Sequence, residues 1–344
     1  MSTQPVKLLG KDIAPIGFGL MGLTWRFPPQ PAAASFQAMD TAMSQGLNFW
    51  NGGELYGTPD RHSCHLLNEY FTQHPEHADK VVLSIKGGTE LGSLKPDGSA
   101  KNVRRSVEDC LRILDGKKTI DLFECARVDP TVPFEETMGT LAELVREGKI
   151  GGIGLSEVKA STVERAHKIH PIAAVEVELS LWATDILENG VAETCGRLGI
   201  PVVAYSPLAR GALTGNPIRK NAEIPDTDFR KHLPKFQDDA LEYNNRITDE
   251  VAKLADRKGV TRAQIAISWV AGLSGRSFTN RHGNVVKLGT IVPIPGATTS
   301  ERVIENSKLV ELTEDEFAEI DDLLRRNPTV GARYPAAMAA VVEG

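Results

Sequence analysis

The stretch LNFWNGGELYGTPD, residues 47–60, joins a short apolar segment to a glycine-rich turn and a tyrosine. Leu47 to Trp50 predict a strand, and Asn51-Gly52-Gly53 predict its end, because glycines favour turns over sheet. Tyr56 is therefore expected on a loop at the carboxyl end of a strand, where its phenol can reach a ligand.

The same pattern recurs about thirty residues later, where VVLSIK ends in Lys86 before Gly87-Gly88. If the two strands are parallel neighbours, Tyr56 and Lys86 meet over a common pocket. This pairing predicts proton transfer to a carbonyl, with the ammonium lowering the phenol's pKa below its free value of about 10. The alternative is that both side chains are merely solvated, but their position on repeated units favours the functional interpretation.

Short apolar segments alternate with helical patterns through most of the chain. The predicted strands are 13–20, 47–50, 81–85, 120–125, 150–156, 173–179, 200–206 and 290–296. Eight strands alternating with helices predict an α/β protein with a closed (β/α)8 TIM barrel, as one domain over 1–344 with long loops at the C-terminal face. A doubly wound open sheet is the competing fold, but no GxGxxG follows the first strand.

Outside the barrel repeats, VKLLGKDIAP predicts an N-terminal β-hairpin that turns at Gly10 and lies over the barrel's closed end. The tail 328–344 is interpreted as a substrate flap, with a disordered end as the alternative.

The composition is that of a soluble globular protein, with 41% hydrophobic and 24% charged residues among 344. A formal charge of −6 argues against nonspecific nucleic-acid binding. No apolar run approaches the roughly eighteen residues of a membrane span, and the N-terminus lacks a secretory pattern. Reduced thiols in a cytoplasmic protein are expected; the cysteines are Cys64, Cys110, Cys125 and Cys195. No metal site is predicted, because neither HxxxH nor a Cys/His cluster with the spacing of a metal site occurs.

Seven motifs resemble the aldo-keto reductases in order and spacing over nearly the whole chain: NFWNGGELYG, LSIKGG, IDLFECARVDP, GGIGLSEV, AAVEVELSLW, VVAYSPLARGALTG and IPGATTSERVIEN. The resemblance implies a barrel that binds NADPH and passes hydride to a carbonyl, with Tyr56 as proton donor and Lys86 as its partner. GFGLMGLTWR, YGTPDRH, ECARVDP and EVELSLW are also similar to the fungal pyridoxal reductases. The expected reaction is therefore reduction of the aldehyde of pyridoxal to pyridoxine.

The chain departs from the family pattern at two catalytic positions. Asn51 stands where an aspartate is usual; it can still accept a hydrogen bond from the lysine but carries no charge. Ala126 stands where a histidine is usual, which opens space beside the reacting carbon. Our hypothesis is that this space accommodates an aromatic hydroxy-aldehyde, whose ring hydroxyl partly replaces the imidazole. His62 and His65 are weaker candidates for that replacement.

The family resemblance also implies the cofactor contacts. Ser156, Glu157 and Glu176 hold positions that bind the nicotinamide amide, although the last two replace the usual asparagine and glutamine. For Glu176, a structural ion pair with Lys or Arg is an equal alternative. Tyr205 matches the residue that stacks on the nicotinamide. The remaining implied contacts are Ser206, Leu208, Arg210 and Gly211 at the pyrophosphate, Gly296, Ala297, Thr298 and Thr299 at the adenosine phosphate, Arg302 at the 2′-phosphate and Asn306 at the adenine.

Aromatic residues after the strands are candidate walls of a substrate pocket: Trp25, Phe27 and Trp182, with packing beneath a loop as the alternative. Arg127 is expected to pair with Asp129 or Glu124 rather than with substrate. Two other functions stay open, a broad-specificity aldehyde or ketone reductase and a non-catalytic NADPH-binding regulatory subunit. The sequence does not predict the oligomeric state.

Overall fold

The computed structural model of the protein describes residues 5–26, 28–280 and 283–336. Its strands are β1 (Val6–Leu8), β2 (Lys11–Ile13), β3 (Phe18–Gly19), β4 (Phe49–Gly53), β5 (Gly57–Thr58), β6 (Arg61–His62), β7 (Val82–Gly87), β8 (Leu122–Cys125), β9 (Ile153–Ser156), β10 (Ile172–Glu178), β11 (Val202–Tyr205), β12 (Ser277–Thr279), β13 (Val285–Lys287) and β14 (Ile291–Ile294). Its helices are α1 (Met21–Thr24), α2 (Ala32–Ser44), α3 (Ser63–Gln73), α4 (Pro75–Ala78), α5 (Ala100–Leu114), α6 (Phe134–Arg146), α7 (Ala160–Ile169), α8 (Val191–Leu198), α9 (Asp238–Lys258), α10 (Arg262–Gly272), α11 (Ser300–Ser307) and α12 (Glu314–Arg326).

Eight of these strands form one parallel sheet in the order β3-β4-β7-β8-β9-β10-β11-β14. The two ends of the sheet meet, because Gly19 bridges to Gly296 and the Gly17 N–H donates to the Pro293 carbonyl at 2.9 Å. The predicted (β/α)8 barrel is therefore confirmed. The first strand is shorter than predicted, since only Phe18 and Gly19 of the segment 13–20 pair in the barrel.

The alternation of side chains along the strands separates two cores. On β4, the Trp50 ring packs outward against helix residues, whereas Phe49 packs into the barrel interior. On β7, Leu83 belongs to the outer core and Val82 to the interior. Positions two residues further along each interior face are polar, and these residues build the site described below.

The N-terminal hairpin closes one end of the barrel. Its turn places Leu9 and Gly10 at φ 50° and 75°, the left-handed region that glycine adopts at little cost. Leu8 and Ile13 are buried with Phe49 and the other interior residues that begin the strands. The predicted position of the hairpin is confirmed, and it leaves the carboxyl ends of the strands as the open face.

Helix α5 shows how the sequence pattern builds the outer layer. Ser99 caps it by accepting from the Asn102 N–H at 3.3 Å, and Val103 and Val107 on its apolar face are fully buried. The helix ends at Asp115, whose backbone lies in the left-handed region, directly before Gly116. Between β11 and β14 the chain places both α9 and α10, so one repeat carries an extra helix.

Candidate active site

Tyr56 lies on the loop that follows β4, at the open face of the barrel. The loop needs Gly53 because a Cβ there would lie 2.9 Å from the Tyr56 ring. The Thr24 hydroxyl donates to the Tyr56 carbonyl at 2.6 Å, and the Trp25 ring stacks on the phenol with centroids 5.9 Å apart. These contacts hold a tyrosine that is only 8% exposed.

Lys86, near the end of β7, meets Tyr56 as the order of the strands predicts. Its ammonium donates to the Tyr56 hydroxyl at 3.3 Å, and only 4% of the residue is exposed. The Lys86 Nζ also lies 5.6 Å from the centre of the Tyr205 ring. The barrel thus brings a phenol and an ammonium together out of water, where their electrostatic interaction is strong.

Two carboxyl groups inside the barrel face the same ammonium. Glu176, on β10, accepts a hydrogen bond from Lys86, and Glu124, on β8, lies 3.7 Å from the Lys86 Nζ. The Asn51 side-chain amide donates to the other Glu176 oxygen at 2.6 Å and to the Ser84 hydroxyl at 3.3 Å. Glu176 therefore takes the structural ion pair that the sequence left as one of two alternatives.

The charges in this cluster follow from burial and from the lysine. Although burial disfavours the charge of Glu176, the Lys86 ammonium lowers the pKa of that carboxyl below its usual range. Burial, followed by the charge of Glu176, raises the pKa of Glu124 well above its usual value. Burial disfavours the charge of Lys86, but Glu176, Tyr56 and Glu124 together raise the pKa of the ammonium above its usual value. The interior thus favours a charged Lys86–Glu176 pair and disfavours the charged form of Glu124.

The expected lowering of the phenol's pKa by the ammonium is wrong as a net effect. Burial raises the pKa of Tyr56 to about 12, and the opposing contribution of Lys86 is smaller. The physical reason is that the folded loop and the stacked Trp25 bury the phenol, which disfavours its anion. Tyr56 is therefore a protonated acid at neutral pH.

Ala126 lies beside the ends of these strands, since its N–H donates to the Gly87 carbonyl at 2.8 Å. The expected pairing of Arg127 with Asp129 or Glu124 is wrong: the guanidinium donates to the Ala126 carbonyl at 2.5 Å and to the Tyr334 hydroxyl at 3.3 Å. Strand alternation turns Glu124 into the barrel, and Asp129 accepts from nearby backbone N–H groups instead, at Gly98 and Thr131.

His62 and His65, which follow the Tyr56 loop, have a structural role at the start of α3. His62 accepts from the Cys64 N–H and caps α3, while His65 accepts from the His62 N–H at 3.3 Å. Burial, followed by the neighbouring His65, lowers the pKa of His62 to about 4. Its imidazole is therefore neutral at pH 7, with one ring nitrogen already used in the cap.

The predicted nicotinamide positions lie together at the ends of β9, β10 and β11. The Ser156 hydroxyl is buried and has no hydrogen-bond partner among the described residues, so it is available to a ligand amide. Glu157 is held by Arg333 through two hydrogen bonds of 2.8 and 2.9 Å. The Tyr205 and Tyr334 hydroxyls lie 2.7 Å apart. Residues 333–334 thus cover this part of the face. The sequence suggested a flap over the substrate for the tail 328–344 but did not indicate these contacts.

The loop after β11 is strained where the pyrophosphate is expected. Ser206, Ala209 and Arg210 have φ of 52°, 48° and 55°, and Glu157 nearby has 53°. Non-glycine residues in this region cost on the order of 1 kcal/mol each and cluster at functional sites. Arg210 is paired with Glu178, with nitrogen–oxygen distances of 3.0 and 3.3 Å, so its positive charge is already offset.

The remaining loop positions are Leu208 and Gly211, whose backbones close a turn with a 2.9 Å hydrogen bond between the Gly211 N–H and the Leu208 carbonyl. On the next unit, Thr299 caps α11, and Arg302 lies exposed in its first turn and forms no ion pair with any other described residue. Gly296 and Thr298 precede this helix, with the Thr298 carbonyl accepting from Gln30 at 3.0 Å, and Asn306 is buried on it.

The predicted pocket walls occupy different environments. Trp25 is 42% exposed above Tyr56, whereas Trp182 is 1% exposed and packs against Phe236. Trp182 thus has the packed position that the sequence left as the alternative, and Phe27 lies outside the described residues. Of the tail, residues 328–336 are described, and Arg333 and Tyr334 make the contacts given above.

Sequence reasoning missed three contributors to this site. The role of Glu124 could have been found from strand alternation, since LFEC places it on the same face as Leu122. Arg333 and Tyr334 had no local signal, because their partners lie more than 120 residues away.

The comparisons with known proteins agree with this geometry. The sequence model described as "Aldo/keto reductase family" matches residues 15–325. The chain is 40% identical over 332 residues to "Probable pyridoxal reductase 2" of Schizosaccharomyces pombe, covering 94% of this chain and 96% of the relative. It is 37% identical over 345 residues to "Putative pyridoxal reductase" of Saccharomyces cerevisiae, covering 93% and 96%.

Solved structures support the fold. The glycerol dehydrogenase from Gluconobacter oxydans superposes with a TM-score of 0.79 at 24% identity, covering 96% of this chain and all of that one. A thermostable aldo-keto reductase in complex with epalrestat superposes with a TM-score of 0.68 at 22% identity, covering 93% and 99%. Separately, no helix within the described ranges is long and apolar enough to cross a membrane.

Proposed function

Because the chain belongs to the aldo/keto reductase family and is an oxidoreductase acting on carbonyl or alcohol groups, we propose that it catalyses NADPH-dependent reduction of pyridoxal to pyridoxine. The single observation that carries this proposal is the buried contact of 3.3 Å between the Tyr56 hydroxyl and the Lys86 ammonium. It provides an acid that is protonated at neutral pH and a cation that stabilises the phenolate left after proton transfer.

The hydride for the carbonyl carbon would come from NADPH when it is bound. Tyr56 gives its proton to the carbonyl oxygen, and Lys86 stabilises the resulting phenolate. Glu176 keeps Lys86 charged, and Asn51 holds the Glu176 carboxylate in place through a 2.6 Å hydrogen bond. Trp25 shields the phenol from water on one side. Each residue therefore contributes to proton delivery at a defined atom.

The residues present also fit the cofactor. The unpartnered, buried hydroxyl of Ser156 suits the nicotinamide amide, and the Tyr205 ring offers an aromatic face nearby. At the other end, the exposed Arg302 on the first turn of α11 suits the 2′-phosphate, because a guanidinium and a helix N-terminus both favour an anion. These features support NADPH rather than NADH.

The choice of pyridoxal is supported by the two curated relatives and by Ala126. No imidazole stands at position 126 to donate to the carbonyl oxygen, so a substrate with its own neighbouring hydroxyl has an advantage. In pyridoxal the ring hydroxyl lies next to the aldehyde and can hydrogen-bond to its oxygen.

The test is the rate of NADPH oxidation with pyridoxal, pyridoxal phosphate, benzaldehyde and salicylaldehyde. We expect turnover of pyridoxal, and faster turnover of salicylaldehyde than of benzaldehyde because only the former has an ortho hydroxyl. Similar rates with all four aldehydes would instead support a broad-specificity reductase. Tight NADPH binding without any turnover would support a regulatory subunit. We also propose a cytoplasmic location, which agrees with four free cysteines.

A further inference from the structure

The polar cluster in the barrel contains an amide and a carboxylate that act on each other. Asn51 on β4 and Glu176 on β10 are 3% and 2% exposed, and the amide of the first donates to the carboxylate of the second at 2.6 Å. The other oxygen of that carboxylate accepts from Lys86. Asn51, Glu176 and Lys86 are all buried. Water therefore cannot replace the hydrogen bonds between them without a cost in free energy.

We infer that Asn51 and Glu176 form one positioning unit, in which Glu176 supplies the negative charge that holds the Lys86 ammonium against Tyr56 and Asn51 orients that carboxylate. This inference rests on the proposed function and assigns Glu176 to the lysine rather than to the cofactor. An amide at position 51 suits this arrangement because it donates to Glu176, whereas an aspartate there would place two carboxylates in contact.

The position of Glu124 makes the arrangement specific. Its carboxyl also faces Lys86, but at 3.7 Å, and both of its oxygens are buried without a hydrogen-bond partner in the described part of the chain. The raised pKa of Glu124 favours its protonated form, which adds no repulsion to the Glu176 charge. Glu176 is therefore the carboxylate that Lys86 depends on, and Glu124 is its matched control.

If Asn51 and Glu176 form one unit, we expect it to work as well with the acid at position 51 and the amide at position 176. Asn51→Asp alone puts a second carboxylate against Glu176, and Glu176→Gln alone removes the charge beside Lys86. The double variant Asn51→Asp/Glu176→Gln restores one carboxylate and one amide in reverse order. A role of Glu176 in binding the cofactor amide, or in packing alone, predicts no such recovery.

The experiment measures kcat, KM for NADPH and unfolding by denaturant for the wild type, both single variants, the double variant and Glu124→Gln. We expect each single variant at positions 51 and 176 to lower kcat at least about tenfold, and the double variant to return to within about threefold of the wild type. Glu124→Gln should change kcat less than Glu176→Gln. Losses that multiply in the double variant would overturn the inference.

Unfolding makes this test independent of the substrate. The recovery in the double variant should also be seen in the midpoint of denaturation, which does not depend on any aldehyde. If no aldehyde is turned over by the wild type, the proposed function fails while the unfolding data still decide the inference. Stability lost additively in the double variant would contradict it.

A second, independent cluster lies on the outer side of the barrel, where α2 meets the corner between α3 and α4. Asp40 Oδ1 lies 3.7 Å from His74 Nε2, and the Tyr70 hydroxyl lies 2.9 Å from Asp40 Oδ1 and 2.8 Å from His77 Nδ1. One ligand atom from each of Asp40, His74 and His77 lies within 4.8 Å of the others. Asp40 is more than thirty residues from the two histidines in the chain, so sequence spacing did not indicate this group.

The His74 Nε2–Asp40 Oδ1 distance of 3.7 Å is too long for a hydrogen bond. The Tyr70 hydroxyl, in contrast, bridges Asp40 and His77, so an ion would replace those two hydrogen bonds. Tetrahedral Zn²⁺ with ligands at about 2.0–2.2 Å places them about 3.4 Å apart. Glu76 stands behind both rings, 3.6 Å from His74 Nδ1 and 3.7 Å from His77 Nε2, where a carboxylate commonly orients metal-binding histidines. Within the described residues, the ion pairs of Asp40 and Glu76 involve only these histidines.

We propose that Asp40, His74 and His77 bind a zinc ion that fastens α2 to the α3–α4 corner. The test strips the protein with EDTA and titrates Zn²⁺ against a chromophoric chelator. We expect one ion per wild-type chain, unchanged in the control His170→Gln and weakened at least about tenfold in Asp40→Asn and in His74→Gln. No stoichiometric binding by the wild type, or equal binding by all variants, would overturn the proposal.

Discussion

The Arg333 guanidinium reaches back from the end of the described chain and binds the Glu157 carboxylate through both of its terminal nitrogens, at 2.9 and 2.8 Å. Glu157 is 1% exposed and ends the β9 unit at a φ of 53°. Burial disfavours its charge, but the hydrogen bonds and charge of Arg333 lower the pKa of Glu157 below its usual value. A buried carboxylate at the predicted nicotinamide position is thus held charged by the C-terminal segment.

Arg333→Ala should destabilise the protein by about 3–5 kcal/mol, because it leaves a buried carboxylate without its guanidinium. Asparagine tolerates the left-handed backbone at position 157 and carries no charge. We therefore expect Glu157→Asn/Arg333→Ala to recover most of the loss. The free energy of unfolding measured in urea checks both, and a double variant as unstable as Arg333→Ala would contradict the role given to this ion pair.

Tyr56→Phe should lower kcat by about 10²–10⁴, the usual contribution of a general acid, while the affinity for NADPH stays close to that of the wild type. The hydroxyl is removed but the stacked ring is kept against Trp25. Steady-state rates and quenching of NADPH fluorescence measure the two quantities separately. Turnover that survives this change would mean that another group delivers the proton.

Arg302→Ala should raise the KM for NADPH at least about tenfold and leave the KM for NADH nearly unchanged, because only NADPH has the 2′-phosphate that a charged hydrogen bond would hold. The exposed position of Arg302 on α11 makes loss of folding a minor concern. Arg325→Ala on α12 is a matched control. Equal changes for both cofactors would remove the assignment.

We expect His62 to lower the free energy of unfolding in mild acid. Burial and His65 lower its pKa from 6.5 in the unfolded chain to about 4 in the folded protein. Between these values the unfolded state binds more protons, so the free energy of unfolding falls as the pH drops from 6.5 to 4. The full contribution is about 3 kcal/mol.

The matched variant is His62→Asn, which keeps an N-cap acceptor for α3 but does not titrate. Urea unfolding at several pH values should show a flatter dependence for this variant than for the wild type between pH 4 and 6.5. The comparison concerns the slope, so an overall loss of stability in the variant does not affect it. Parallel curves would show that His62 does not cause the pH dependence.

Much of the fold followed from local patterns. The alternation of strands and helices predicted the eight-stranded barrel, and the turn around Gly10 predicted the hairpin that closes it. The strand ends at Tyr56 and Lys86 were predictable for the same reason, since consecutive parallel strands end at the same face.

The charges of the site residues were harder to predict from the sequence. Sequence alone suggested that the lysine would make the phenol more acidic, but the net effect depends on how much water the folded barrel removes from Tyr56. It also left Glu176 undecided between a cofactor contact and an ion pair. That choice depended on which interior positions of β4, β7 and β10 lie at the same height in the barrel.

By itself, then, the sequence determined the barrel, its open face and the pair Tyr56–Lys86, because these follow from periodicity and from strand order. Only the tertiary structure decided that Glu176 is the partner of Lys86, that Arg127 binds the tail and that Arg333 holds Glu157. Those contacts join residues separated by 90 to 207 positions, and their energies depend on burial, which exists only after the chain has folded.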